Sequence, residues 1–265
     1  MTIPESIDVM DVPVVPFESY EQAIRCVEEA IESGRKESWV AVNPQKTYRA
    51  WHDPKLLEIL RRADAGICDG IGVSIAAKML YGQGIRRCTG CDLFFALMEA
   101  AARKGWRVFL LGASPESNRG ACSRLLDRYP GLKIVGQEDG FFADSSTVID
   151  RINRSNAELL FIAMGTPRQE YWIADHRQEI HAAFCLGVGG SFDVASGVAR
   201  RAPKLFRKTG TEFLYQLLTQ PHKRFIRQLV YFPYIFRVAC RAISGGSRNG
   251  QGNKAKRELT CLKED

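Results

Sequence analysis

The chain has 265 residues, 45% of them hydrophobic and 25% charged, an ordinary balance for a folded protein with a sizeable core. No apolar run approaches the roughly 18 residues of a membrane-spanning helix, and the acidic opening MTIPESIDVMDVPVVPF lacks the basic-then-apolar layout of a secretory signal, so the expectation is a cytoplasmic protein. The net charge of +7 is uneven: residues 200–241 carry ten Lys and Arg against the single acid Glu212, after a mildly acidic first 199 residues. Such a segment suits an anionic partner, whether nucleic acid, lipid surface or phosphorylated substrate.

In chain order, SWVAVN (38–43) reads as a buried strand, and PQKTYRAWHDPKLLEILRRAD as one helix entered at Asn43-Pro44. ICDGIGVS (67–74) is a strand-like run that ends on Asp69, on a turn with Gly70 and Gly72, and SIAAKMLYG continues as a helix. CDLFFALMEAAARKG is helical in its spacing and stops at Gly105. The strand WRVFLLGAS then leads into the helix PESNRGACSRLLDRY, whose Ser114-Pro115-Glu116 supplies N-cap, first position and first-turn acid in order. Strand LKIVGQ, loop EDGFFAD, helix STVIDRINRS, strand ELLFIAMG, helix PRQEYWIADHRQEI and strand AAFCLGVGG complete the alternation.

Apolar strands separated by helices predict an α/β fold, a Rossmann-like, mostly parallel sheet with helices on both faces. The expected division is a core over 1–203, a basic amphipathic helical appendage over 204–243, and a disordered Gly/Ser/Asn-rich tail over 244–265.

Ligands of open parallel sheets gather at the carboxyl ends of the strands. Asn43, Asp69, Gly112 to Ser114, Asp139-Gly140, Gly165 to Pro167 and Gly187 to Ser191 all fall there, small or polar residues with helix N-termini suited to phosphate oxygens. The dinucleotide pattern GxGxxG, the phosphate loop GxxxxGK[ST] and the metal-nucleotide pair DxD are all missing from the chain. Its four histidines stand apart from acids at ligand spacing, so no metal and no bound cofactor is expected. CTGC (88–91) has the CxxC spacing without a second pair, which reads as structural. In isolation Asp69 reads equally as an Asx-type cap or as a catalytic base.

AVNPQK, DGIGVS, RCTGCDL, VFLLGASPES, DGFF, AMGTPRQE, GVGGSFDVASGVARRAPK and TEFLYQLLTQPHKRFIRQ, in that order over residues 38 to 228, resemble the WecG/TagA/CpsF glycosyltransferases, glycosyltransferase family 26. The resemblance implies transfer of a sugar (N-acetylmannosamine, its uronate or glucose) from a UDP-sugar to a polyprenyl-diphosphate-linked saccharide in cell-surface polysaccharide synthesis, with inversion and without a metal. It makes Asp69 the general base, with Asn43 and Gln169 orienting sugar hydroxyls. UDP would be held by the turns containing Gly112, Ser114, Asp139, Gly165, Gly187, Gly189 and Gly190, and the glycines beside Asp69 would clear space for the sugar.

The resemblance also gives the basic segment a use: Arg224 and Arg227 match arginines that hold a diphosphate at the membrane, while a third such arginine is replaced here by Gln216. Continued as a helix, 224–243 puts Phe225, Leu229, Phe232, Phe236, Cys240 and Ile243 on one stripe and Arg224, Arg227, Arg237 and Arg241 on the other side, with Pro233 expected to kink or break it. That stripe suits the anionic inner face of a plasma membrane; the plainer alternative is a terminal helix packed on the core. A nucleic-acid-binding module using the same basic segment is the rival function, and it leaves Asp69 and Gln169 without a role; no nucleic acid is expected.

Overall fold

The computed structural model describes residues 2–203, 206, 212, 215 and 229–244. Arg224, Arg227, Phe225, Gln216 and the tail from 245 onward lie outside the described residues. In chain order the elements are β1 (Ile7–Val9), β2 (Val12–Val14), α1 (Tyr20–Ser33), β3 (Glu37–Val42), α2 (Pro44–Ala50), α3 (Pro54–Arg62), β4 (Ala65–Cys68), α4 (Ile71–Tyr81) and α5 (Gly90–Lys104). They continue with β5 (Arg107–Gly112), α6 (Pro115–Arg128), β6 (Lys133–Glu138), α7 (Ser145–Arg154), β7 (Leu159–Ala163), α8 (Arg168–His176), β8 (Phe184–Gly187) and α9 (Ser191–Ser196). A further helix, α10, covers 231–244.

Six strands form one sheet in the order β4-β3-β8-β7-β5-β6, and every pairing is parallel. Strand alternation decides which side chain meets which layer. Trp39, Ala41, Ile67, Leu110, Phe161 and Phe184 face one core, which also takes Phe94, Leu97 and Met98 of α5 and Phe192 of α9. Val40, Val42 and Cys68 face the other side with Leu56, Leu60 and Val73, while Leu111, Leu160 and Ile162 meet Ile149 and Trp172 there. The expected α/β sheet with helices on both faces is therefore the observed one.

The residues 44–64 read as one helix are two, α2 and α3. Asp53 lies outside helical geometry (φ −141°, ψ 88°) and its side chain accepts from Leu56 N–H to cap α3, as a residue before proline is disposed to do. The opening segment forms an antiparallel hairpin, β1 with β2, whose continuation bridges Val15 to Ile67 and covers the edge of β4. Gly66 permits that approach, since a Cβ there would lie 2.2 Å from the Pro13 carbonyl oxygen.

α10 packs on the core through Tyr234 and Val238, both 1% exposed, and the Tyr234 ring stacks on Trp51 at 5.7 Å. Leu229 is helical, Val230 is a turn and α10 begins at 231, so the helix expected over 224–243 is interrupted three residues before Pro233. That proline then sits in the first turn of α10, where its missing N–H forfeits no intrahelical bond.

Candidate active site

Asp69 follows β4 directly, and its N–H donates to the Val42 carbonyl at 2.8 Å, extending the strand register to the rim. Its half-buried carboxylate is held from two sides. Oδ2 accepts from Asn43 Nδ2 at 3.1 Å, and Oδ1 accepts from Gly90 N–H, the first residue of α5, at 3.2 Å. Asn43 is the N-cap of α2 and accepts from Lys46 N–H at 2.9 Å through Oδ1, so one amide caps a helix and aims a carboxylate. Gly70 adopts φ +115°, a conformation an L side chain resists, and a Cβ there would meet nothing within 4 Å. Gly72 has a different use: a Cβ would lie 2.4 Å from Pro44 Cγ, so its space is taken by α2 and not left for a ligand.

Gln169 is 2% exposed, and its polar atoms are spent inside the protein. Oε1 accepts from both Gly165 N–H and Gly189 N–H at 3.1 Å, and Nε2 donates to Glu170 Oε1 at 2.9 Å. Its amide also passes over Gly187, where a Cβ would stand 2.5 Å from Nε2. The structure thus makes Gln169 the clasp between the turns after β7 and β8. The N–H groups of Gly165 and Gly189, expected at a diphosphate, are occupied by that clasp.

Beneath it lies an ion pair that the sequence reading did not find. Lys46 Nζ meets Glu170 Oε1 at 2.7 Å, with both side chains almost wholly buried. Burial alone would raise the Glu170 carboxyl, but the Lys46 ammonium, with hydrogen bonds from Lys46 and Gln169, outweighs it and holds the group below the usual carboxylate range.

Of the other expected UDP contacts, Ser114 caps α6, Asp139 Oδ1 accepts from Phe141 N–H at 2.9 Å, and Gly112 (φ +111°) lies against the Ala163 backbone. These three stand at the ends of β5 and β6. A cavity of about 870 Å³ opens on the other half of the rim, bounded by Asn43, by Gly165 and Thr166, by Gly189 and Gly190, and by Tyr48, Arg49 and His52 on and just after α2. Val230 closes its side towards α10. The last three α2-side residues were not singled out from sequence; the Asp53-Pro54 helix start was the available signal that α2 ends early and turns its last residues to the rim.

Cys88 and Cys91 are both free thiols, and burial pushes both up, Cys68 beside them reaching about 12. Unreactive packing thiols are the result. Among the described residues no three His, Cys, Asp or Glu side chains gather to hold a metal ion, and no helix is long and apolar enough to cross a membrane.

The carboxyl edge of the sheet, where parallel α/β folds bind ligands, thus carries a carboxylate held by Asn43 and a polar cavity that Asn43 lines. The family model "Glycosyl transferase WecG/TagA/CpsF family" matches residues 7–248, and the chain belongs to that family of glycosyltransferases. It is 36% identical over 199 residues to a Bacillus spizizenii protein named N-acetylglucosaminyldiphosphoundecaprenol N-acetyl-beta-D-mannosaminyltransferase, covering 75% of this chain and 77% of that one. A Bacillus subtilis protein of the same name is 34% identical over 180 residues, covering 68% of this chain and 70% of that one.

Proposed function

We propose that this glycosyltransferase moves an N-acetylmannosamine-type sugar from a UDP-sugar to a polyprenyl-diphosphate-linked saccharide, with inversion and without a metal. The observation that carries the reading is the Asp69 carboxylate, fixed by Asn43 and Gly90, with Asn43 in turn lining the cavity of about 870 Å³. The names of the two Bacillus relatives supply the sugar and the kind of acceptor.

In the reaction, an acceptor hydroxyl attacks the anomeric carbon while Asp69 takes its proton, and the bond from that carbon to UDP breaks with its electrons leaving on the diphosphate. A single displacement of this kind inverts the anomeric centre. General-base assistance of this type contributes about 10²–10⁴-fold, and a carboxylate close to the reacting carbon also stabilises its developing positive charge. Neutralisation of the diphosphate falls to Arg224 and Arg227, outside the described residues, since guanidinium binds phosphate oxygens in a two-pronged fashion.

The membrane part of the reading rests on α10. Phe232, Ile235, Phe236 and Ile243 are all more than half exposed, while Tyr234 and Val238 on the inner side anchor the helix. Two of its arginines are engaged by the protein: Arg237 lies 4.3 Å over the Trp51 ring, and Arg241 pairs with Asp11 at 2.8 Å. A free basic stripe for nucleic acid is therefore not what these residues offer, whereas an outward apolar stripe suits the inner face of a plasma membrane.

The test is transfer of label from UDP-N-acetylmannosamine to a short-chain prenyl-diphosphate-linked N-acetylglucosamine in excess EDTA. Product is expected. Loss of product on chelation, with recovery in Mg²⁺ or Mn²⁺, would overturn the metal-free reading, and no product under any condition would overturn the reaction.

A further inference from the structure

The cavity beside Asn43 belongs to one half of the rim only. Gly112, Ser114 and Asp139, at the ends of β5 and β6, are not in its wall, whereas Asn43 after β3, the turns after β7 and β8, and Val230 are. Its α2 side is lined with groups that recognise hydroxyls: Asn43, Gln45, Tyr48, Arg49, His52 and Asp53. Aromatic and planar polar side chains of this mixture fix the orientation of a polar ligand by hydrogen bonding and ring contact.

Two of these groups are spare. The Arg49 guanidinium makes no hydrogen bond or salt bridge among the described residues, and its electrostatic neighbour Asp53 already accepts from the Tyr171 hydroxyl and from Leu56 N–H. His52 Nδ1 lies 3.0 Å from the Tyr48 carbonyl. A carbonyl only accepts, so in the neutral ring Nδ1 carries the hydrogen and Nε2 keeps its lone pair for an incoming hydroxyl.

We infer that this cavity binds the saccharide head of the lipid-linked acceptor and not the nucleotide sugar, with Arg49 and His52 as binding residues. The inference rests on the reaction proposed above. One feature separates the substrates. Both must meet beside Asp69, which is not itself in the cavity wall and is joined to it through Asn43, so they differ in the side from which they arrive. The acceptor enters with its lipid held in a bilayer, from the side of the outward apolar stripe on α10, and Val230 at the start of that segment closes this cavity. The ends of β5 and β6 are then left to UDP.

The test uses the full chain and its Arg49→Ala/His52→Ala variant, each checked for an unchanged melting temperature. Steady-state kinetics are measured with UDP-N-acetylmannosamine and short-chain prenyl-diphosphate-linked N-acetylglucosamine, and UDP affinity by calorimetry. The acceptor KM should rise at least ~10-fold, equivalent to about 1.4 kcal/mol, while donor KM and UDP affinity stay within about twofold of the parent. A rise confined to donor KM, or weaker UDP binding, would assign the cavity to the donor and overturn the inference. An active variant with every constant unchanged would overturn it as well. Should the parent chain bind UDP yet glycosylate no prenyl-diphosphate acceptor, the reaction fails and the inference falls with it. The single variant Arg49→Lys, which keeps charge but not the planar fork, is expected to recover only part of the acceptor KM.

Discussion

Asn43 caps α2 through Oδ1 and steadies Asp69 through Nδ2, so the two halves of its amide can be separated by mutation. Asn43→Asp retains an oxygen for Lys46 N–H but sets a second carboxylate against Asp69 and removes its donor. Melting temperature should hardly change while turnover falls by at least ~10-fold, because like charges placed together disfavour the ionised pair a base needs. Asn43→Ala loses the cap too, at about 1 kcal/mol of stability, with a comparable loss of turnover. Thermal melts beside kinetics read both effects, and full activity in Asn43→Asp would remove the amide from the mechanism. Asp69 and Asn43 are legible in the sequence because a carboxylate and an amide at the ends of apolar strands sit where parallel sheets bind ligands. Gln169 is legible as a special residue but not as a clasp: its partners Gly165 and Gly189 belong to two turns that only the sheet order brings together.

At the scale of elements, α2 and α8 are joined by the buried Lys46–Glu170 pair. Residues 124 apart in sequence give no local sign of such a contact, whereas the break between α2 and α3 did have one, in the Asp53-Pro54 helix start. Glu170 Oε2 already lacks a hydrogen-bond partner, so the carboxylate depends on Lys46. Lys46→Met leaves that charge buried and unpaired, and should cost about 3–5 kcal/mol, whereas Lys46→Met/Glu170→Leu should recover most of it. Denaturant titrations measure both; a Lys46→Met chain as stable as the parent would contradict this view of the joint. The pH dependence follows from the sign of the Glu170 shift. A carboxyl held below its ordinary value contributes stability that is complete above the usual range, near 4.3, and is lost as pH falls through the lower folded-state value. The parent should therefore lose stability in acid more steeply than the double variant does.

For the whole molecule, the sheet's carboxyl edge and α10 meet at one place, where Val230 closes the cavity and the stripe of Phe232, Phe236 and Ile243 faces outward. The stripe was readable from its helical spacing. The alternative of a helix packed on the core is met at the same time, through Tyr234 and Val238, which spacing did not single out because they find Trp51 and its neighbours only in the folded chain. Phe232→Glu/Phe236→Glu should abolish sedimentation with anionic vesicles while leaving transfer to a water-soluble acceptor within about threefold, since one side chain in an apolar interface is worth about 1.5–3 kcal/mol and two are removed. Undiminished vesicle binding would mean that this stripe is not the docking face. The central claim is that Asp69, held at the rim by Asn43 and Gly90, takes the proton from the acceptor hydroxyl. Its most direct measurement is single-turnover sugar transfer by Asp69→Asn beside calorimetric UDP binding. The account predicts transfer slowed at least ~10²-fold with UDP affinity unchanged, because the amide keeps the shape of the group and cannot accept a proton; transfer at close to the parent rate would contradict it.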